Sequence, residues 1–103
     1  MTQHTTKAAK FHPGKIVVTP GALEAIRASG QSPETFLAAH LEGYWGDDLC
    51  DEDRLLNDEA LIDGSRLLSA YRTLRGEQIW VVTEAVGDDG RRASTCLLLP
   101  EDY

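Results

Sequence analysis

Cysteine is scarce: Cys50 and Cys96 are the two in 103 residues. One lies in an acidic stretch and the other in a hydrophobic run, which excludes the dense disulfide framework of a small secreted domain, and both are expected as reduced thiols. Long apolar runs are also lacking. They stop at four residues, as at Cys96 to Leu99, far short of a membrane span. The opening MTQHTTKAAKFHPGK has no apolar core of a signal peptide, so the expected compartment is the cytoplasm. Basic residues are few, ten against seventeen acidic ones for a net charge of −7. A negative chain repels phosphate at long range, so neither direct nucleic-acid binding nor membrane binding is expected. Glycine-rich phosphate loops, Cys/His zinc spacing, HExxH and GxSxG are all missing. Most cofactor enzymes are thereby disfavoured, and the expectation is no cofactor and no metal.

What remains is a globular composition, 42% hydrophobic and 26% charged, long enough for one core. Residues 1–14 read as a flexible polar leader ending in the turn signal His12-Pro13-Gly14, and residues 15–103 as a single domain. The negative charge is concentrated. Residues 31–63 hold ten carboxylates against one cation, Arg54, while residues 1–30 carry +3 and residues 64–103 carry −1.

The chain then reads as an α+β domain. Lys15 to Thr19 is a short β-branched strand. Thr19-Pro20 and Ser32-Pro33 each pair a capping hydroxyl with proline at the first helical position, which predicts two short helices, Gly21 to Ser29 and one bearing Phe36, Leu37, Ala39, His40 and Leu41. Gly43-Tyr44-Trp45-Gly46 is a tight aromatic turn, with Trp45 expected to plug the helical pair. A third, acidic helix capped by Asp51 or Asp53 should bury Leu55, Leu56, Ala60, Leu61 and Ile62 and end at Gly64. Three strands follow, Arg66 to Leu74, Glu77 to Val86 and Arg91 to Leu99, with a two-residue turn expected at Arg75-Gly76. The expected architecture is helices packed on one face of a three- or four-stranded antiparallel meander.

Two constellations can carry function. Trp45 with Asp47, Asp48, Asp51, Glu52 and Asp53 can form a binding surface for a basic protein, because clustered carboxylates steer association. Alternatively His40, Arg66, Arg91 and Thr95, with other strand residues Ser69, Tyr71, Arg72, Thr83, Glu84 and Ser94, can build a metal-free ribonuclease site. There histidine would move protons and arginine would stabilise phosphate.

The stretches TPGALEAI, HLEGYWG, NDEALIDGSRLLSAY, IWVVTEA and STCLLLPEDY together resemble a family of short bacterial, phage and plasmid proteins labelled hypothetical, plasmid-related or type I restriction endonuclease subunit M. The resemblance spans Ile16 to Tyr103 and brings no established activity. The restriction label does not fit 103 residues, too few for a methyltransferase domain with its cofactor site. Two departures stand out: Tyr44 replaces a common Asp in the aromatic turn, and Val86 to Arg92 replaces a compact Asp-Arg-Ser. In topology the order of elements is similar to that of RelE/ParE-like toxins, whose basic character this chain lacks. The resulting expectation is a mobile-element accessory factor of anti-defence type, anti-CRISPR or anti-restriction, that binds a protein partner with a basic surface.

Overall fold

The structure, a computed structural model, describes residues 9–103. The first eight residues of the expected leader, with His4, lie outside the described residues. The elements run β1 (Lys15–Val18), α1 (Pro20–Ala28), α2 (Pro33–Leu41), α3 (Asp51–Asp63), β2 (Leu67–Arg72), β3 (Gln78–Thr83) and β4 (Ser94–Leu98), then a short 3-10 turn, Pro100–Asp102. The fold is α+β, three helices on a four-stranded sheet of order β1-β4-β3-β2. The meander β2-β3-β4 is antiparallel, but β1 joins it in parallel, with Ile16 opposite Thr95 and Val18 opposite Leu97. The sheet is therefore mixed, because the two proline-capped helices carry the chain away and the edge it leaves beside β4 is reached only at the end of the sequence.

Local signals account for the helix starts. Thr19 caps α1, its hydroxyl accepting from the Ala22 N–H at 3.3 Å and donating to Asp102 at 2.8 Å, which ties the first helix to the C-terminal turn. For α3 the capping position is Cys50, and Asp51, Glu52 and Asp53 fill the first turn, where negative charge meets the positive end of the helix dipole. Gly64 closes α3 in the left-handed conformation, as expected. The β2–β3 connection is longer than the expected two residues. Thr73 still pairs with Glu77, and its carbonyl accepts from the Gly76 N–H at 2.8 Å, giving a three-residue loop with Gly76 at positive φ.

The core between α1, α2 and the sheet is built from Ala22, Ile26, Phe36, Ile79, Val81 and Leu97. A second cluster, Trp45, Leu49, Ala60, Leu67 and Ala70, joins α3 to β2. Here the structure departs from the sequence reading. The buried residues of α3 are Asn57 and Ala60, whereas Leu55, Leu56 and Ile62 are 59%, 56% and 90% exposed. The reason is the edge of β2. Asn57 donates from Nδ2 to the Leu68 carbonyl at 2.6 Å and accepts the Leu68 N–H at 3.0 Å, so one side-chain amide replaces a neighbouring strand. A leucine there would leave two backbone groups unpaired, which costs more than burying its methyls returns.

On the same edge the Trp45 carbonyl accepts the Ala70 N–H at 3.0 Å, and in the loop beyond it Gln31 Oε1 accepts the Leu74 N–H at 2.9 Å. The chain at Gly46 presses so close that a Cβ would lie 1.9 Å from the Ala70 carbonyl oxygen. Gly46→Ala should therefore destabilise by about 3 kcal/mol, strain at positive φ adding to overpacking. Gly30→Ala, also at positive φ but in open space, should lose only about 1 kcal/mol. Denaturant melts of the pair test this, and equal losses would contradict the close approach.

Candidate functional site

His40 lies at the C-terminal end of α2, facing the sheet, and is fully buried. Opposite it three hydroxyls stand on adjacent strands: Ser69 on β2, Thr83 on β3 and Thr95 on β4. Their separations form a chain, His40 Nδ1 to Ser69 Oγ at 2.5 Å, Nε2 to Thr83 Oγ1 at 2.8 Å, and Thr83 Oγ1 to Thr95 Oγ1 at 2.6 Å. Thr95 donates to the Pro13 carbonyl at 2.8 Å. That carbonyl can only accept, so it fixes the protons as far as the ring: Thr95 gives its hydrogen to Pro13, Thr83 donates to Thr95, and His40 donates from Nε2 to Thr83. With the ring neutral, as its burial requires, Nδ1 accepts from Ser69, and the tautomer is Nε2–H. Burial, and secondarily the positive charge of Arg92, push its pKa down to about 3.

Residues 10–14 cover this chain. The Lys10 N–H donates to the Leu41 carbonyl at 2.8 Å, and the Phe11 ring meets His40 edge-on at 5.2 Å. The Arg92 guanidinium sits 5.7 Å from the same ring and donates to the carbonyls of Ser65, Glu84 and Ala60 at 2.7 to 3.0 Å. Arg92 is a buried clamp that joins the end of α3 to β3 and β4, with desolvation lowering its pKa.

Of the expected proton-transfer set, His40 and Thr95 are joined through Thr83, but inside the core. Arg66 is exposed and donates to the Tyr103 hydroxyl, while Arg91 is exposed in the β3–β4 loop. Neither arginine shares a partner with His40, so the four residues form no cleft.

The acidic segment is arranged differently. Arg54, its one cation, turns inward and donates to the carbonyls of Gly46 and Leu49, holding the aromatic turn. Trp45 is 4% exposed and packs edge-on against His40, its indole N–H donating to Asp58 at 3.1 Å. It packs in the cluster between α3 and β2 and meets the first two helices at His40, rather than plugging the helical pair; being buried, the ring has no free face for a partner and is not a contact residue. Asp48 pairs with Arg72 at 2.7 Å, the one ion pair among the described residues, and Asp47 accepts from the exposed Tyr44 hydroxyl at 2.9 Å. That hydrogen bond, followed by slight burial, raises the Tyr44 pKa. Asp51, Glu52 and Asp53 make no side-chain hydrogen bond or ion pair among the described residues. At helical spacing Asp51, Leu55, Asp58 and Ile62 form one outward ridge, flanked by Glu52 and Glu59. On sequence alone the spacing of Leu55 and Ile62 is equally that of a buried stripe.

Compared with known proteins, the chain matches no family model, no curated protein and no solved structure. No helix among the described residues is long and apolar enough to cross a membrane. Both cysteines are free, Cys50 exposed and Cys96 half-buried.

The buried histidine makes stability pH-dependent with a definite sign. The unfolded chain takes up a proton below about pH 6.5, but the folded chain does so only near pH 3, so stability falls as pH drops below 6.5 and is flat with respect to this group above it. Between pH 6.5 and 5 the loss should approach about 2 kcal/mol. Chemical denaturation across that window should show the slope in the native chain and not in His40→Gln; the same slope in both would remove His40 as its source.

Proposed function

We propose that this chain is a protein-binding accessory factor of the mobile-element and anti-defence kind, and that it engages a basic protein surface through the outer ridge of α3. The observation that carries the reading is Ile62, 90% exposed, with Leu55 and Leu56 more than half exposed on the same helix. Single exposed leucines are ordinary, but Leu55 and Ile62 share one face of a helix that carries six carboxylates and together form a patch that water wets poorly.

The chemistry of the ridge selects its partner. Apolar anchors at positions 55 and 62, two turns apart, suit a groove or a second amphipathic helix. The surrounding Asp51, Glu52, Asp58, Glu59 and Asp63 favour lysine and arginine across the interface and steer a basic partner toward it. They also argue against pairing of two copies through this face, which would bring like charges together. The ribonuclease alternative draws no such support, since its histidine is enclosed and its arginines are elsewhere.

The expected behaviour of a Leu55→Ser, Ile62→Ser double variant is normal folding, within about 1 kcal/mol of the parent, because the side chains are largely solvated. Immobilised parent protein should retain a basic protein from a bacterial lysate at about 0.1 M salt and release it near 0.5 M. The double variant should retain none of it. Undiminished capture by the variant, or capture indifferent to salt, would contradict the reading.

A further inference from the structure

We propose that the groove between α2, the 44–48 turn and β2 receives an arginine side chain of the partner protein. The inference rests on the protein-binding reading and adds to it a second contact, with its own chemistry, three residues ahead of α3 in the chain. The groove holds about 300 Å³, and Phe36, Ala39 and Tyr71 form its apolar floor while Tyr44 and Asp47 stand at its rim. That volume is at the lower limit of small-molecule pockets and suits one side chain rather than a cofactor.

Tyr44 is the exposed wall, 49% accessible, and its ring lies 5.9 Å from that of Tyr71, inclined by 33°. Phe36 and Tyr71 continue the aromatic surface at 5.8 Å. The Tyr71 hydroxyl donates to the Tyr44 carbonyl, so the wall is anchored to the floor through the backbone. Beside the ring, Asp47 is oriented by the Tyr44 hydroxyl through one carboxylate oxygen. An aromatic face next to an oriented carboxylate matches a planar guanidinium, which can stack on the ring and donate to the acid together.

The rim already holds one guanidinium–carboxylate contact, without ring stacking. Arg72 donates from Nε to Asp48 and from a terminal nitrogen to the Gly76 carbonyl at 2.9 Å. Tethered at both ends, Arg72 neutralises Asp48 and leaves Asp47 as the carboxylate open to an incoming cation. The charge of the whole acidic segment favours a cationic guest over a neutral one.

The test is a titration of the ¹⁵N-labelled full chain with the peptide acetyl-Gly-Arg-Gly-amide, followed by amide chemical shifts, with the citrulline analogue as the uncharged control. Saturable shifts confined to residues 35–39, 44–48 and 70–72 are expected, weakened about tenfold by Asp47→Asn or by Tyr44→Ala and absent with citrulline. Both positions are exposed, so the variants should fold, which circular dichroism checks. No shifts, equal shifts along the carboxylates of α3, or shifts indifferent to Asp47→Asn would each overturn the groove as an arginine site. Concentration-dependent shifts of the same amides without peptide would assign it to a second copy of the chain and overturn the partner. The α3 reading is judged separately by the Leu55→Ser, Ile62→Ser variant, which leaves the groove intact.

Discussion

The backbone of Leu68 at the edge of β2 carries one N–H and one C=O that the sheet cannot satisfy, and Asn57 meets both with a single amide. This constraint organises the whole second half of the molecule. A helix that must present an amide to a strand edge has its rotation set, so Asn57 and Ala60 face the sheet. Small Ala60 lets the helix axis come close, and its carbonyl accepts from Arg92 at 3.0 Å. Leu55 and Ile62 are then carried to the far side by helical geometry alone, since a residue diametrically opposite a buried position has nowhere else to point. The exposed apolar ridge is thus the consequence of a hydrogen-bonding requirement, which overrides the hydrophobic preference of the individual leucines.

The first half of the molecule has a polar requirement of its own. His40 occupies a place in the core where an apolar side chain would take a partner from the Ser69 hydroxyl and leave Thr83 with Thr95 alone, and it bonds to both. Because the chain of hydroxyls ends on the Pro13 carbonyl, the segment leading into β1 is part of the core's hydrogen bonding rather than an appendage. Trp45 touches His40 on one side and donates to Asp58 of α3 on the other, so the two polar seams are joined by one indole. The aromatic turn is accordingly a structural joint, and the surface proposed for binding lies around it, on Tyr44, Asp47 and the outer helix face.

Much of this was legible from local signals. The Thr19-Pro20 and Ser32-Pro33 pairs marked the helix starts, Gly64 marked the end of α3, and the three strands of the meander lay within the predicted runs. Those features depend on neighbours a few residues apart. The rotation of α3 was not legible, because it depends on a strand eleven residues downstream whose edge is left open by the sheet order. Apolar spacing alone cannot tell a buried stripe from an outward one. The parallel pairing of β1 likewise joins the two ends of the chain. Ser69, Thr83 and Thr95 could be associated with His40 by residue type, but their enclosure required the register that aligns three strands. Asn57, a lone amide inside an acidic helix, carried the signal that reverses the helix, and it is readable only once the strand edge is known.

Amide hydrogen exchange at Leu68 tests the edge-sealing claim most directly. The account predicts that this amide is protected to the same degree as amides in the interior strand β3, and that Asn57→Ala exposes it selectively while β3 and β4 stay protected. Rapid exchange of Leu68 in the native chain would contradict the account, because Asn57 would then not be bound to the strand and the outward set of α3 would lose its cause.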